Sequence, residues 1–238
     1  MASEQPRGER AERTVALSRA EAVAHALRSH ISAGTLAPGD RLVEAELTQE
    51  HGVSRNTLRE AFRLLSQEGL VTHIPNRGAL VATPSITSII DLYRVRRMIE
   101  CQAIRGSLPK HPAITAMRRA VTMAVKGRDE NDWTRVGTAN IAFHAAIIEL
   151  ADSPRLRQLF DNYTAELRLA FGLIDDPEYL HAPFIDQNLA IVELIEAVKT
   201  AEAADLLDDY LVRAERILLA AYERLGETSP SGNPISGS

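Results

Sequence analysis

Residues 52–81, GVSRNTLREAFRLLSQEGLVTHIPNRGALV, decide the fold of the first third of the chain. Within them Leu58, Ala61, Phe62 and Leu65 recur at i, i+3, i+4 and i+7, the spacing of a helix with one buried stripe. Ser54 stands where an N-cap belongs, and Gly69 stops the helix after about Gln67. Beyond that stop the period changes. Residues 70–74 are β-prone, Pro75-Asn76-Arg77-Gly78 has turn chemistry, and residues 79–81 resume β character, which predicts a short hairpin.

Upstream of this stretch, Val23, Ala26, Leu27 and Ile31 fall at helical spacing over 21–33, and Gly34 ends that helix. The segment 36–40, LAPGD, reads as a turn, and a short second helix follows over about 43–51, closed by Gly52. Three helices and a hairpin in about 65 residues describe a winged helix-turn-helix. Downstream, nothing from 86 to 225 reads as strand. Apolar stripes at 3–4 spacing run over 89–108, 114–125, 133–151, 155–171, 187–198 and 201–225, with Pro or Gly in most gaps. The expected fold class is therefore mainly α. It comprises an N-terminal winged helix-turn-helix (three helices plus a β-hairpin wing) and a C-terminal all-α helical bundle of six or seven helices. The expected domains are a flexible arm over 1–18, a DNA-binding unit over 19–83, a helical effector-binding and dimerisation unit over 84–226, and a disordered Gly/Ser/Pro-rich tail over 227–238.

The third helix carries chemistry as well as packing. Arg55, Arg59 and Arg63 stand at i, i+4 and i+8, a column apart from the apolar stripe, with Ser54, Asn56 and Thr57 at the N-terminal end. That end of a recognition helix enters the major groove, where Arg grips guanine O6 and N7. An isolated arginine column is commonly a solvated face. The helix before it, the Gly52-Val53-Ser54 turn and the hairpin after it favour DNA readout instead.

Bulk composition narrows the remaining classes. The chain has 238 residues and a net charge of −5, with one cysteine, Cys101, so an internal disulfide and a CxxC motif are excluded. Residues 1–83 hold ten Lys/Arg and ten Asp/Glu, so DNA affinity there must come from local placement of arginines. No apolar run approaches the roughly 18 residues that cross a membrane, and the polar N-terminus has no signal-peptide core. A cytoplasmic protein is expected. Cys101, in an apolar helix, reads as core.

Residues 36–81 resemble the DNA-binding domain of GntR-family regulators. The match runs through Pro38-Gly39, Leu42, Gly52-Val53-Ser54-Arg55, Leu58-Arg59-Glu60-Ala61, Glu68-Gly69-Leu70 and Arg77-Gly78. The resemblance implies that Arg55 and Arg59 contact DNA and that the wing tip, from His73 through Arg77 to Gly78, lies over the adjacent minor groove. Some relatives use a further arginine in the second helix, where this chain reads Glu44-Ala45-Glu46.

The helical part, about 85–225, resembles the FCD ligand-binding domain of the FadR subfamily, on Arg96 and Glu100, the Phe143-His144 pair and the spacing of the later helices. Many such domains bind a divalent metal through an Asp, a His four residues on, and two further His. The corresponding positions here are Asn140, His144, Asn188 and Tyr210, so three of four ligands are replaced and no metal or other cofactor is expected. Arg96, Asn140, His144, Asn188 and Tyr210 are instead the candidate effector-binding residues, with Arg96 attracting a carboxylate. Plain structural roles stand beside each: a satisfied core histidine, a salt bridge from Arg96 to Glu100, a packing tyrosine. The implied partners are double-stranded operator DNA, a small-molecule effector and a second copy of the chain, with no membrane. Three functions are weighed: a ligand-responsive repressor on a short palindrome, a constitutive regulator with a decayed pocket, and a helical-bundle enzyme with an accessory winged helix. For the last, the sequence offers only His144 and scattered carboxylates; Asp152, Ser153 and His181 can be imagined as a hydrolase set, but nothing fixes their geometry.

Overall fold

The computed structural model describes residues 17–174 and 176–228. Helix α1 (Arg19–Ala33) begins at Ser18, which with Glu21 forms a reciprocal capping box, and ends at Gly34 in the left-handed conformation, φ +77°. A two-residue strand β1 (Arg41–Leu42) leads to α2 (Glu44–His51) and α3 (Arg55–Gln67), and strands β2 (Val71–Ile74) and β3 (Gly78–Val81) form the wing. The sheet is antiparallel in the order β1-β3-β2, with Arg41 opposite Leu80, Val71 opposite Val81 and Ile74 opposite Gly78. The hairpin expected from the sequence is thus one half of a three-stranded sheet. Two residues carry no readable period, so β1 gives no signal of its own.

The apolar stripe of α3 is fully buried against Val23, Leu27 and Ile31 of α1, with Leu70, Val71 and Val81 from the wing completing the core. Ser54 accepts from the Thr57 backbone N–H and caps α3 as expected.

Among the described residues seven α-helices follow: α4 (Ile86–Arg105), α5 (Pro112–Asp129), α6 (Trp133–Glu149), α7 (Pro154–Gly172), α8 (Pro177–His181), α9 (Ile185–Glu196) and α10 (Thr200–Thr228). Each expected stripe is a helix. Three of the prolines that punctuate the gaps open helices: Pro112, Pro154 and Pro177 sit in first turns, where a missing N–H costs nothing. The short α8 and the 3-10 turn Ala182–Phe184 after it are the elements the sequence period did not mark. The main core gathers Tyr93, Ile104, Met117, Phe143, Ile147, Ile191, Leu207 and Leu211, with α10 packed along α4 and α5 along α6. Of the expected arm and tail, all but 17–18 and 227–228 lie outside the described residues; Ser18 caps α1 and α10 continues to Thr228.

One helix belongs to both cores. Ala165 and Leu169 of α7 are buried in the same cluster as Leu27, Phe62 and Leu70, while Leu167 and Ala170 of the same helix face the main core. A Cβ placed on Gly69, at the turn from α3 into the wing, would meet the Glu166 carboxyl at 3.3 Å.

Candidate functional site

The outer face of α3 carries Arg55, Asn56, Arg59 and Arg63, all exposed, with Arg55 and Asn56 in the first turn, where the helix dipole is positive. Their electrostatic situations differ. Arg59 donates to Glu44 of α2, Nε to Oε1 at 3.1 Å and Nη2 to Oε2 at 3.3 Å. Arg63 is paired with Glu60 one turn back, at 3.0 and 2.6 Å. The guanidinium groups of Arg55 and Arg77 make no hydrogen bond or ion pair with any described residue and present unneutralised charge. Ser54 and Thr57 bond one another at 2.9 Å and so are committed to the cap. At the wing His73 is exposed and meets Phe62 edge-on at 6.2 Å, and Arg77 follows Asn76, held at φ +64°, into Gly78 at φ +82°. Four elements therefore converge to make one surface: α2, the start of α3, and the two wing strands.

The second constellation is buried. Arg96 (α4) donates from Nε to Glu100 Oε1 at 2.8 Å, and both side chains are almost wholly enclosed. Glu100 Oε2 lies 2.7 Å from His144 Nδ1 (α6), and Glu100 Oε1 accepts from the Tyr163 hydroxyl (α7) at 3.2 Å. His144 Nε2 is 3.0 Å from the Tyr210 hydroxyl (α10), which donates to Asn140 Oδ1 (α6) at 3.0 Å. Asn188 (α9) donates to the same oxygen at 2.9 Å. All five sequence-predicted positions thus lie in one connected network. Glu100 is its hub, and the carboxylate that Arg96 holds is that of Glu100.

Burial governs the proton positions. It would raise the Glu100 carboxyl, but the Arg96 charge and the bonds from His144 and Arg96 prevail and hold it at about 2. Burial is also the largest influence on His144, and its pKa falls below the ordinary value despite Glu100. Tyr163, also buried, has its phenol pushed up further by Glu100. With Tyr210 donating to Asn140, an all-donating chain would call for an imidazolium at His144, the form that burial disfavours.

Across the four positions at which the family places a metal, this chain offers one imidazole, two amides and a phenol. Both imidazole nitrogens already face hydrogen-bond partners, and Asn140 Oδ1 already accepts twice. Such a set does not fit a borderline-soft divalent ion. Among the described residues no three His, Cys, Asp or Glu side chains converge to hold one.

Two small cavities of about 10 Å³ each adjoin the network, and both are lined by Arg96, Asn140 and Phe171. Each has room for about one water molecule. The first is also lined by His181, Phe184 and Tyr210.

The imagined hydrolase set does not assemble. Asp152 meets His111 at 3.2 Å, Ser153 caps α7, and His181 is buried against Phe171 with ring centroids 5.3 Å apart. Cys101 is core, as expected.

Sequence reasoning missed three residues of these sites. Glu100 was readable only as a partner for Arg96 one turn away. Tyr163 is brought in by the docking of α7, and His181 by a five-residue helix. Neither leaves a periodic signal.

The model of the bacterial regulatory proteins of the gntR family matches residues 19–81, and that of the FCD domain matches 91–213, more than half of the chain. The chain belongs to the GntR family, with an FCD domain. The FadR-subfamily resemblance agrees with that domain. This GntR regulator is 34% identical over 169 residues to the HTH-type transcriptional repressor RspR of Escherichia coli (strain K12), a match covering 67% of this chain and 73% of RspR. It is 24% identical over 139 residues to the HTH-type transcriptional regulator YdhC of Bacillus subtilis (strain 168), of which it spans 62%. Among solved structures, a GntR transcriptional regulator from Rhodococcus sp. RHA1 superposes with a TM-score of 0.78 at 39% identity, covering 87% of this chain and all of that one. The chain is a DNA-binding transcriptional regulator, not an enzyme. No helix among its described residues is long and apolar enough to cross a membrane.

Proposed function

We propose that this GntR regulator is a cytoplasmic repressor that binds a short palindromic operator as a homodimer and is controlled by a small carboxylate. The division into a DNA-binding unit over 19–83 and an effector-binding, dimerising unit over 84–226 belongs to the same reading. The carrying observation is the outward face of α3, where three arginines stand opposite a fully buried apolar stripe. In the bound state Arg55 and Arg59 grip guanines, Arg63 and Arg77 hold phosphate, and Ser54, Asn56, Thr57, His73 and Gly78 complete the contact surface. The effector is taken directly by Arg96, Asn140, His144, Asn188 and Tyr210, without a metal, because the donor set suits hydrogen bonding rather than coordination.

The test is selection of binding sequences from a random duplex library, repeated with Arg59→Ala. The expected product is an inverted repeat bound by two chains. Arg59→Ala should lose about 1–3 kcal/mol of discrimination per half-site. A selection that yields no repeat, or one that Arg59→Ala leaves unchanged, overturns the assignment.

One observation favours a second reading, a constitutive regulator with a closed pocket: each cavity beside the network holds only about 10 Å³. It predicts that no small molecule raises the melting temperature. The leading reading predicts a rise that grows with ligand concentration by mass action.

A further inference from the structure

One line of α4 faces outward and is built as its own complement. Asp91, Val95, Met98, Gln102 and Arg105 follow one another at alternate spacings of four and three, so they share one seam of the helix. Asp91, Met98, Gln102 and Arg105 are exposed, Met98 by 66%, and Val95 is half-buried. Beside the seam lies a groove of about 550 Å³, lined by Met98, Ile99, Ala103, Leu108, Leu150 and Leu156. Leu108 is 67% exposed, and Leu159, one turn along α7 from Leu156, is also exposed. Within 19–83, by contrast, no large apolar side chain among the described residues is exposed. A contiguous apolar patch with a polar rim marks an interaction surface.

The charges on the seam decide what covers it. Asp91 and Arg105 stand on either side of Met98 at equal separation, each about 10 Å away along the axis, and are of opposite sign. A two-fold axis beside Met98 lays a second α4 antiparallel on the first. Each Asp91 then meets Arg105 of the partner, as a self-complementary interface requires. A parallel copy in register would set like charges together instead. Both groups now hold partners within the chain: Asp91 Oδ1 accepts from Arg94 at 3.2 Å, and Arg105 donates to Asp205 at 2.6 Å. Pairs as exposed as these contribute little and are readily exchanged. Methionine is unbranched and polarizable, so two of them facing across an axis adapt to each other and to the groove.

We infer that this seam of α4, with the groove beside it, is the surface on which a second copy of the chain seats, antiparallel and centred on Met98. The inference rests on the homodimer reading given above, and it adds the place, the orientation and the ion pairs that fix the register. At 20 residues α4 is about 30 Å long. Widened by Leu108 and by Leu159 of α7, such a face has the extent that a stable interface needs, roughly 800 Å² on each partner.

The experiment is analytical ultracentrifugation of the full chain over a concentration series, with circular dichroism to check that each variant is folded. Wild type should sediment as a dimer. Met98→Glu, which brings two carboxylates together at the axis, should raise the dissociation constant by about a hundredfold or more. Asp91→Arg and Arg105→Asp should each raise it by about tenfold or more, because each sets like charges together twice. Mixed, these two variants should form a heterodimer more tightly than either associates alone, since both pairs are then of opposite sign. A role confined to one chain gives no such rescue. If wild type dimerises and Met98→Glu does so equally, or the mixture associates no better than its components, the α4 surface falls and the homodimer reading stands. If wild type is a monomer throughout, both fall.

Discussion

Replacing Glu100 by Gln removes one charge from the centre of the buried network while keeping its shape. Glu100 accepts from Arg96 at 2.8 Å, from His144 at 2.7 Å and from Tyr163 at 3.2 Å, and it has no exposed surface. Burial works to raise its carboxyl; the Arg96 charge and the hydrogen bonds outweigh burial and bring it from 4.5 to about 2. Each unit of pKa is about 1.4 kcal/mol, so the ionised form contributes on the order of 3 kcal/mol. Breaking a buried pair and stranding the guanidinium costs about 3–5 kcal/mol by a separate route, in agreement. Because the folded pKa lies below the unfolded one, that stability is fully present above about 4.5 and is lost as pH falls from there toward 2. Thermal unfolding followed by circular dichroism should therefore place Glu100→Gln about 6–12 °C below wild type at neutral pH. The gap should narrow in acid. Adding Arg96→Met should recover much of the loss, since no buried charge then lacks a partner. A variant within about 1 kcal/mol of wild type at neutral pH, or one with the wild-type acid slope, would refute the account.

Glu44→Gln should free Arg59 and remove a negative charge from the DNA face; affinity for non-specific duplex rises and the log–log salt slope steepens by about 0.9. An unchanged slope would mean that Glu44 and phosphate do not compete for Arg59. Leu169→Ala, at a position 1% exposed in the winged-helix core, should cost about 2–5 kcal/mol and reduce amide-exchange protection in α1 and α3 as well as in α7. Loss confined to the helical domain would contradict the docking. The Cys101 thiol, pushed up to about 12 by burial and then by Asp208 and Glu100, should resist iodoacetamide at mildly alkaline pH until the chain is unfolded.

The parts legible in the sequence are those with a repeating cause. The α3 stripe needs Leu58, Ala61, Phe62 and Leu65 at fixed spacing, and all four are buried where the period put them. The Arg column was equally plain, but its pairing was not, because Glu44 meets Arg59 only once α2 and α3 are folded together. The buried network was half readable. Asn140, His144, Asn188 and Tyr210 all entered through the family alignment, and only the i, i+4 spacing of the first two is a local signal that they share a helix face. Glu100 as a hub bridging three helices, Tyr163 and His181 depend on tertiary approach, which leaves no local trace. Strand β1 was invisible for the opposite reason: two residues are too few to show alternation, and β3 supplies the partner.

The placement of α7 gives a mechanical reason for the two sites to communicate. Tyr163, Leu167 and Ala170 follow one another at i, i+4 and i+7 toward the bundle, while Ala165 and Leu169, also four apart, enter the winged-helix core. Between them Glu166 bonds Ser88 at the start of α4 and lies under Gly69, where the wing begins. A helix of this length moves as a body, since its backbone bonds are internal. In the proposed homodimer, a ligand that displaced Glu100 or Tyr163 would be expected to shift the seat of α1 and the wing through α7, and with it the spacing of the two recognition helices. Coupling of this kind is reciprocal: operator DNA must alter effector affinity by the same factor by which effector alters operator affinity, typically about 5- to 150-fold. Titration of a small carboxylate that binds the chain, in the presence and absence of operator, would measure that factor. A value of one would mean that α7 joins the two cores without transmitting anything between them.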